Sequence, residues 1–248
     1  MNHISTKFRV AVAMLMGVCF AASASATLIT VPNSSFENPD VADGIFTDTT
    51  ITPVPNWTFL GGDNGTITGG VWDPQNGDYT GTTGNNTPLP NQLAAAGGQT
   101  GYIYLEQTDD QNPQPLGAQF TTAAAIATIA DKTRYTLTIA LGRSKPLNHG
   151  DVTVELLVDD NSIASEFIEA GSLVMDTFEN VTTSFDTGEN DPLTGLDLKV
   201  RVRHSWGDAG FREIDFDNVR VETTVIPEPA SFFALFAFGG LLKRRRSF

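Results

Sequence analysis

LDLKVRVR, at residues 196–203, alternates apolar and polar side chains without a break. Successive side chains of a β-strand point to opposite faces of the sheet, so this pattern predicts a strand with one buried and one solvated face. Residues 135–141 and 152–158 repeat the two-residue period, and no long segment shows the 3.6-residue period of an amphipathic helix. Half-solvated strands are typical of antiparallel sheets. The sequence therefore predicts an all-β fold, an antiparallel β-sandwich or jelly roll.

Two segments between these strands allow more than one interpretation. Asp159-Asp160-Asn161 offers carboxylates to a metal ion, but it lies between the predicted strands 152–158 and 162–168, and we interpret it as a hairpin turn. Residues 123–130 are the segment most compatible with a helix. Their alternation of Ala with Thr and Ile favours the end of a strand instead.

Residues 60–100 differ from the rest because they are rich in Gly, Asn and Thr and hold few aliphatic side chains. A stretch of this length without regular structure predicts a functional loop or a disordered one. Trp72 and Tyr79 are its large aromatic residues. They either form a platform for a sugar ring or pin the loop to the sandwich.

The charge of the chain excludes one class of partner. The 248 residues contain 15 Lys and Arg against 29 Asp and Glu, and residues 27–226 alone hold 9 basic and 28 acidic side chains. A domain this acidic repels phosphate backbones, so no nucleic-acid partner is expected, whereas hard cations are favoured. About 200 residues suit one domain with one core.

The N-terminus has the features of a secretory signal peptide. Lys7 and Arg9 precede an apolar run over residues 10–22, and the small residues 24–26 follow it. This order predicts a signal peptide over residues 1–26, rather than an N-terminal helix of the fold. The lone cysteine, Cys19, lies inside it, so the mature domain is expected to have no disulfide.

The C-terminus resembles the PEP-CTERM sorting signal of Gram-negative envelope proteins. Its three parts stand in order, and they are Pro227-Glu228-Pro229, the apolar run 231–242 and the basic cluster Lys243, Arg244, Arg245 and Arg246. The resemblance implies secretion to the cell envelope or extracellular matrix, transient membrane anchoring and processing by an exosortase-type enzyme. The basic cluster would stay on the cytoplasmic side, and the run is short for a permanent span. The alternative is a buried terminal helix. We thus expect a sandwich domain over 27–226 and a sorting tail over 227–248.

Four short motifs in the middle of the chain carry a second resemblance. They are PNSSFE at 32–37, PNW at 55–57, TRYTL at 133–137 and FDNV at 216–219. In this order they resemble the galactose-binding-like jelly rolls of carbohydrate-binding modules, and most of all the HpiC1-like branch with its Stig cyclases. The resemblance implies a structural calcium ion that joins the first strand to the last. Carried over to this chain, its side-chain ligands are Glu37 and Asp217, and Asp40 lies close enough in sequence to contribute.

The residue pattern supports an inward Asp217 independently. Asp217 shares its parity with Val219 and Val221, so it points into the core if they do. A buried carboxylate needs a partner, and calcium accepts carboxylate and carbonyl oxygens. The alternative is a β-bulge at 217–218 that turns the carboxylates to solvent.

Hydrolase signatures are missing from the sequence. It contains no Gly-x-Ser-x-Gly motif, and His149 and His204, which are the histidines of residues 27–226, fit no metal-binding spacing. We interpret His204 as a surface or hydrogen-bonded histidine rather than as a base.

The family resemblance also implies an enzymatic alternative. Stig cyclases use an acidic residue with aromatic walls to protonate and fold an isonitrile-terpene substrate, and Asp215, Tyr102 and Tyr104 are the matching residues here. Tyr102 and Tyr104 are equally ordinary strand residues that pack.

Taken together, the sequence favours a secreted, calcium-stabilised, non-catalytic module of the extracellular matrix that contacts an exopolysaccharide or other glycan through Trp72, Tyr79 or Trp206. The alternatives are a small-molecule cyclase or isomerase and a purely structural biofilm protein, because a fold alone does not fix a function.

Overall fold

Twelve β-strands form two sheets in the computed structural model, which describes residues 25–61, 66–74, 78–79, 97–107, 116–144 and 147–227. In chain order the strands are β1 (Ala26–Ile29), β2 (Trp57–Gly61), β3 (Thr66–Trp72), β4 (Thr100–Gln107), β5 (Leu116–Thr122), β6 (Ala127–Thr128), β7 (Thr133–Arg143), β8 (Asp151–Val158), β9 (Asn161–Ile168), β10 (Thr177–Asp186), β11 (Asp197–Trp206) and β12 (Gly210–Val225).

The two sheets are antiparallel and pack as a sandwich. Sheet A has the order β10-β7-β12-β4-β3, and β1 pairs with the far part of β12. Sheet B has the order β2-β5-β11-β8-β9, and the short β6 pairs with β11. The predicted all-β sandwich is confirmed.

The core lies between the sheets and follows the alternation seen in the sequence. In β11, Leu198, Val200 and Val202 are fully buried, while the side chains between them point away from the core. The centre of the core is aromatic, because Phe36 packs against Phe216 with a ring-centroid distance of 4.9 Å. The motifs at 32–37 and 216–219 therefore meet, and the Val219 amide also donates to the Ser34 carbonyl at 2.9 Å.

The long loop predicted over residues 60–100 is only partly correct, because β3 lies inside it. This strand contains Gly69 and Gly70, and a Cβ atom at residue 70 would overlap the backbone carbonyl of Thr47. The glycines thus permit the segment 44–49, which we call the strap, to run close beside β3, where the Thr47 amide donates to the Val71 carbonyl at 2.8 Å.

The structure also distinguishes between the interpretations of the turn at Asp159 and Asp160 and of the segment 123–130. The hairpin at Asp159 and Asp160 is confirmed, with φ angles of 48° and 63° at the two turn residues between β8 and β9. The segment 123–130 follows the end of β5 and contains only the two-residue strand β6.

Residues 26–224 form one compact unit that begins at the first residue of β1. Most of the predicted signal peptide and sorting tail, including Glu228, Pro229, Arg244, Arg245 and Arg246, lies outside the described residues. The part of the chain that is described has no helix of the length and apolarity needed to cross a bilayer.

Candidate functional site

The middle of strand β12, residues 213–217, is buried on both faces of the strand. Ile214 and Phe216 point into the core between the sheets. Glu213 and Asp215 alternate with them and are also buried, with exposures of 5% and 0%. The two acids therefore lie on the outer face of sheet A and must be covered there.

A small aromatic cluster covers the acids. Its buried members are Trp72, Tyr79, Tyr102, Ala140 and Phe178. The antiparallel register places Tyr102 opposite Asp215 and Tyr104 opposite Glu213. The predicted grouping of Asp215 with Tyr102 and Tyr104 on one face is thus what the structure has. Tyr104 packs at the edge of the cluster and is only partly buried.

Asp215 is sealed from solvent in an environment that favours its neutral form. The Tyr79 hydroxyl donates a hydrogen bond to Asp215 Oδ2, while Oδ1 has no hydrogen-bond partner among the described residues. Burial, followed by the charge of Glu213, raises the pKa of Asp215 well above its usual range, and the hydrogen bond from Tyr79 opposes this only in part. The environment of Asp215 therefore favours the neutral carboxylic acid over the carboxylate.

Glu213 lies between a cavity and the hydrogen-bonded pair of Asp215 and Tyr79. Burial raises the pKa of Glu213 to about 7, against the opposing effect of a hydrogen bond from Ser144 Oγ, which is 3.1 Å long. The cavity has a volume of about 140 Å³, and its described lining includes Glu213, Ser144, Asp78, Phe46 and Trp72. Glu213 lines the cavity directly, whereas Asp215 lies behind it.

The two aromatic residues of the 60–100 segment are not exposed. Trp72 has an exposure of 4% and Tyr79 of 1%, because Trp72 ends β3 under Phe46 and Tyr79 reaches Asp215. The expectation of an open platform for a sugar ring is not met at either residue. Of the two interpretations, the structure has the Trp72 and Tyr79 side chains packed against the sandwich.

The third predicted ligand-binding aromatic, Trp206, lies elsewhere and is half-buried. The guanidinium carbon of Arg212 lies 3.7 Å from the centroid of its ring. One face of the indole is thus already occupied by a cation–π contact.

The residues predicted to bind calcium are only partly brought together. Glu37 accepts hydrogen bonds from the Gly98 and Gln99 amides, both 3.1 Å long, and Glu37 and Asp40 are exposed. Asp217 is fully buried, as the sequence predicted, but it does not share an inward face with Val219. Asn218 has a φ angle of 49°, which shifts the alternation of β12, so Asp217 follows the parity of Asp215 rather than pointing inward with Val219.

Within the described ranges, no three His, Cys, Asp or Glu side chains are arranged to hold a metal ion. Four acidic residues nevertheless lie close enough to influence one another, and they are Glu37, Asp40, Asp43 and Asp73. Burial, followed by the charges of Asp43, Glu37 and Asp40, raises the pKa of Asp73 to about 6. Mutually repelling carboxylates are a setting in which a bound cation would relieve electrostatic strain.

Sequence reasoning missed Glu213 and the burial of His149, and of its two interpretations of His204 the structure has the hydrogen-bonded histidine rather than the surface one. The EIDFD run at 213–217 did carry a signal, because acids alternate there with core-facing apolar residues. Histidines 149 and 204 have exposures of 0%, and the Gly150 amide donates to His204 Nε2 at 2.8 Å. His204 continues the inward parity of the buried apolar residues of β11, which indicates its burial, but its hydrogen-bond partner lies 54 residues away and has no local signal.

The fold and the site define a class of protein, a two-sheet antiparallel β-sandwich with a buried acid beneath aromatic side chains on one sheet. The profile of the HpiC1-like family, described as HpiC1 cyclase, matches residues 27–222. The chain therefore belongs to the HpiC1-like family. A comparison with curated proteins returns no match.

Solved structures give the same fold. A Stig cyclase from Fischerella sp. TAU, in complex with (3Z)-3-(1-methyl-2-pyrrolidinylidene)-3H-indole, is 24% identical, covers 82% of this chain and 100% of its own, and has a TM-score of 0.59. A cyclase from the same organism, in complex with 4-(1H-indol-3-yl)butan-2-one, is 22% identical, with coverages of 82% and 100% and a TM-score of 0.58. At these identities the likeness establishes the shared fold.

Proposed function

We propose that this protein is an acid catalyst that cyclises or isomerises an apolar, unsaturated small molecule, with Asp215 as the proton donor. The observation that carries the proposal is a fully buried carboxyl group whose Oδ1 lacks a hydrogen-bond partner among the described residues, beneath an aromatic cluster. A neutral acid in an apolar site is the arrangement that general-acid catalysis at neutral pH requires. Membership of a family described by a cyclase supports it.

The proposed reaction conserves atoms. Asp215 transfers its proton to a carbon–carbon double bond of the substrate, the resulting cation forms a new bond within the same molecule, and loss of a proton to the Asp215 carboxylate restores the acid. Tyr102 and Tyr104 wall the site. The pKa of Tyr79 lies well above its usual range because of burial and the nearby Asp215, so this phenol stays protonated. Tyr79 covers Asp215, and Trp72 packs against Tyr79, so a substrate must displace Tyr79 to reach the acid.

A conversion assay tests the proposal. The protein is incubated with unsaturated terpene- and indole-containing compounds, and isomers are separated by chromatography because the mass does not change. Asp215→Asn should lower the rate by about 10²- to 10⁴-fold, as expected for the loss of a general acid. The exposed Asp197→Asn is the matched control. Equal conversion by the wild type and Asp215→Asn would contradict the proposal.

Glycan binding without catalysis is the competing function. It rests on the sorting signal and on the carbohydrate-binding-module resemblance rather than on the described aromatic residues. The same protein should be titrated with a panel of bacterial exopolysaccharides. Saturable binding together with no conversion of any small molecule would replace the catalytic proposal, and a protein that does neither would be a structural component.

We further propose a structural calcium ion near Glu37, with Asp40 and Asp217 as the predicted ligands and Asp73 as an additional candidate. Carboxylate and carbonyl oxygens are the donors that calcium uses. Calcium at 100 times its dissociation constant would add about 2.7 kcal/mol to the free energy of unfolding. Thermal unfolding with calcium and with a chelator measures this gain. Equal melting temperatures in the two conditions would contradict the proposal.

Asp73→Asn gives a separate prediction without calcium. The pKa of Asp73 is raised from 3.8 to about 6 in the folded state, so the unfolded chain ionises first and stability falls as pH rises through this range. The neutral amide of the variant avoids that loss. We therefore expect the variant to be more stable than the wild type at pH 8 by about 1–2 kcal/mol, which allows for screening by solvent, and no more stable at pH 3. Chemical unfolding at both values measures the difference, and a less stable variant at pH 8 would contradict the prediction.

Secretion and sorting remain proposals that rest on the sequence of the two ends. Intact-mass analysis of the protein recovered from the envelope or the medium of a Gram-negative host tests them. We expect a mature chain that begins near residue 27 and ends near Pro227. A full-length chain in the cytoplasm would contradict both signals.

A further inference from the structure

The cavity beside Glu213 has an unusual combination of walls. One wall is aromatic, since Phe46 and Trp72 stack with a centroid distance of 4.8 Å and an interplanar angle of 7°. The acidic part of the lining consists of the carboxyl groups of Glu213 and Asp78. No Lys, Arg or His belongs to the lining within the part of the chain that the structure describes.

The charge on this cavity is negative at neutral pH and above. Asp78 raises the pKa of Glu213 by its charge, which adds to the effect of burial. The other ionisable groups near Glu213 are Asp215 on the same strand and Tyr79, Tyr102 and Tyr104 on neighbouring segments. The tyrosines all have raised pKa values, so they stay neutral and add no charge of their own.

The indole N–H of Trp72 is an independent indication that the cavity binds a ligand. This Nε1 atom is buried and has no hydrogen-bond acceptor among the described residues, although the residue itself lines the cavity. A buried donor without an acceptor is costly, and an oxygen atom of a ligand bound in the cavity would satisfy it, although a charged, alkylated nitrogen could not.

We propose that this cavity binds the positively charged, alkylated nitrogen of a small organic ligand, between the Phe46–Trp72 pair and the Glu213 carboxylate. Aromatic faces attract such cations through their quadrupoles, and alkylated ammonium groups lose little hydration when they are buried. The carboxylate supplies the counter-charge that burial of an ion requires. This inference builds on the proposed function and narrows its substrate class to unsaturated compounds that carry an amine or ammonium group.

The size of the cavity agrees with a head group rather than a whole ligand. Its volume of about 140 Å³ equals the share of about five water molecules in the liquid. A trimethylammonium group fits such a space, and the remainder of a larger ligand would extend past Phe46, which is 46% exposed.

Choline and 3,3-dimethylbutan-1-ol form a matched pair of probes, because they have the same shape and differ in the charged nitrogen. Binding to the full protein is followed by the intrinsic fluorescence of tryptophan and by NMR. We expect choline to bind at least tenfold more tightly than the alcohol at pH 8. The ratio should be smaller at pH 5, where Glu213 is protonated while choline keeps its charge.

Variants locate the binding site. Glu213→Gln should weaken choline binding at least tenfold and leave the binding of the alcohol unchanged, whereas Glu222→Gln, an exposed position on the same strand, should change neither. Phe46→Leu should weaken choline more than the alcohol. Equal affinities for the two probes, no saturable choline binding, or choline binding that Glu213→Gln leaves intact would each overturn the inference.

Asp215→Asn separates this inference from the proposed function. If that variant loses conversion while choline and the alcohol bind alike to the wild type, the catalytic proposal stands and the cation site is wrong. If choline binding behaves as described while conversion is unaffected by Asp215→Asn, the cation site stands and the assigned acid is wrong.

Discussion

Replacing Phe36 by alanine should lower the free energy of unfolding by about 3–5 kcal/mol, as for other buried aromatic residues. Phe36 is 0% exposed and contacts the rings of Trp57, Phe120 and Phe216, with centroid distances of 5.2, 6.5 and 4.9 Å. Its removal would leave a cavity between the first motif of the domain and β12. Domains of this size have stabilities of about 5–15 kcal/mol, so the variant would lose a large part of the total.

Urea unfolding followed by circular dichroism measures the effect. Phe167→Ala is the control, because Phe167 is 61% exposed on β9 and should cost less than about 0.5 kcal/mol. A Phe36→Ala variant as stable as the control would mean that the two motifs do not meet in the core. The same variant should also disturb Asp215 and Asp217, since Phe216 lies between them on β12.

His204→Gln should have an effect on stability that depends strongly on pH. Burial lowers the pKa of His204 from 6.5 to about 3, helped by the charges of His149 and Arg212. The unfolded chain therefore takes up a proton below pH 6.5 that the folded chain refuses, so the stability that His204 contributes is complete above pH 6.5 and is lost as pH falls towards 3. At pH 5 the loss amounts to about 2 kcal/mol.

The hydrogen bonds explain why the folded state keeps these rings neutral. His204 Nε2 accepts from the Gly150 amide at 2.8 Å, and His149 Nε2 accepts from the Leu173 amide at 3.1 Å. A ring nitrogen that accepts a hydrogen bond cannot also carry a proton, so protonation would break the bond and bury a charge.

The measurement compares the wild type and His204→Gln at pH 8 and pH 5. The variant should be about 1–3 kcal/mol less stable at pH 8, where the Gly150 amide loses its usual acceptor. The difference should shrink by about 2 kcal/mol at pH 5, because only the wild type suffers the histidine penalty. Carboxyl groups with raised pKa values act in the opposite direction, but they are common to both proteins. A difference that stays constant with pH, as expected for Phe167→Ala, would contradict the prediction.

Much of the fold could be predicted from period-two alternation, because strands with one buried face record their orientation in the sequence. The alternation at 196–203 indicated the inward face of β11 correctly. It could not indicate the geometry of β12, because residues 213–217 are buried on both faces of the strand and the parity shifts at Asn218. A single residue with a left-handed backbone reverses every side chain that follows it, and Asn at such a position is a weak signal.

The sequence identified Asp215 as the acid of the candidate site, but it did not predict that Tyr79 covers this acid. The family resemblance, rather than the residue pattern, grouped Asp215 with Tyr102, and the antiparallel register places the two opposite each other. Tyr79 reaches Asp215 across 136 residues of sequence, and its segment has no strand pattern to reveal that contact. Exposure of Trp72 and Tyr79 was the premise of the glycan platform, and exposure depends on tertiary packing that local sequence does not encode.

Infrared spectroscopy of the Asp215 carboxyl group tests the central claim most directly. A protonated carboxylic acid and a carboxylate absorb at different frequencies, and the difference spectrum between the wild type and Asp215→Asn isolates this group from Glu213. We expect the protonated band to be present at pH 7 and to persist above it, since burial holds the pKa of Asp215 well above its usual range. A carboxylate already formed at pH 5 would contradict the assignment of Asp215 as a proton donor.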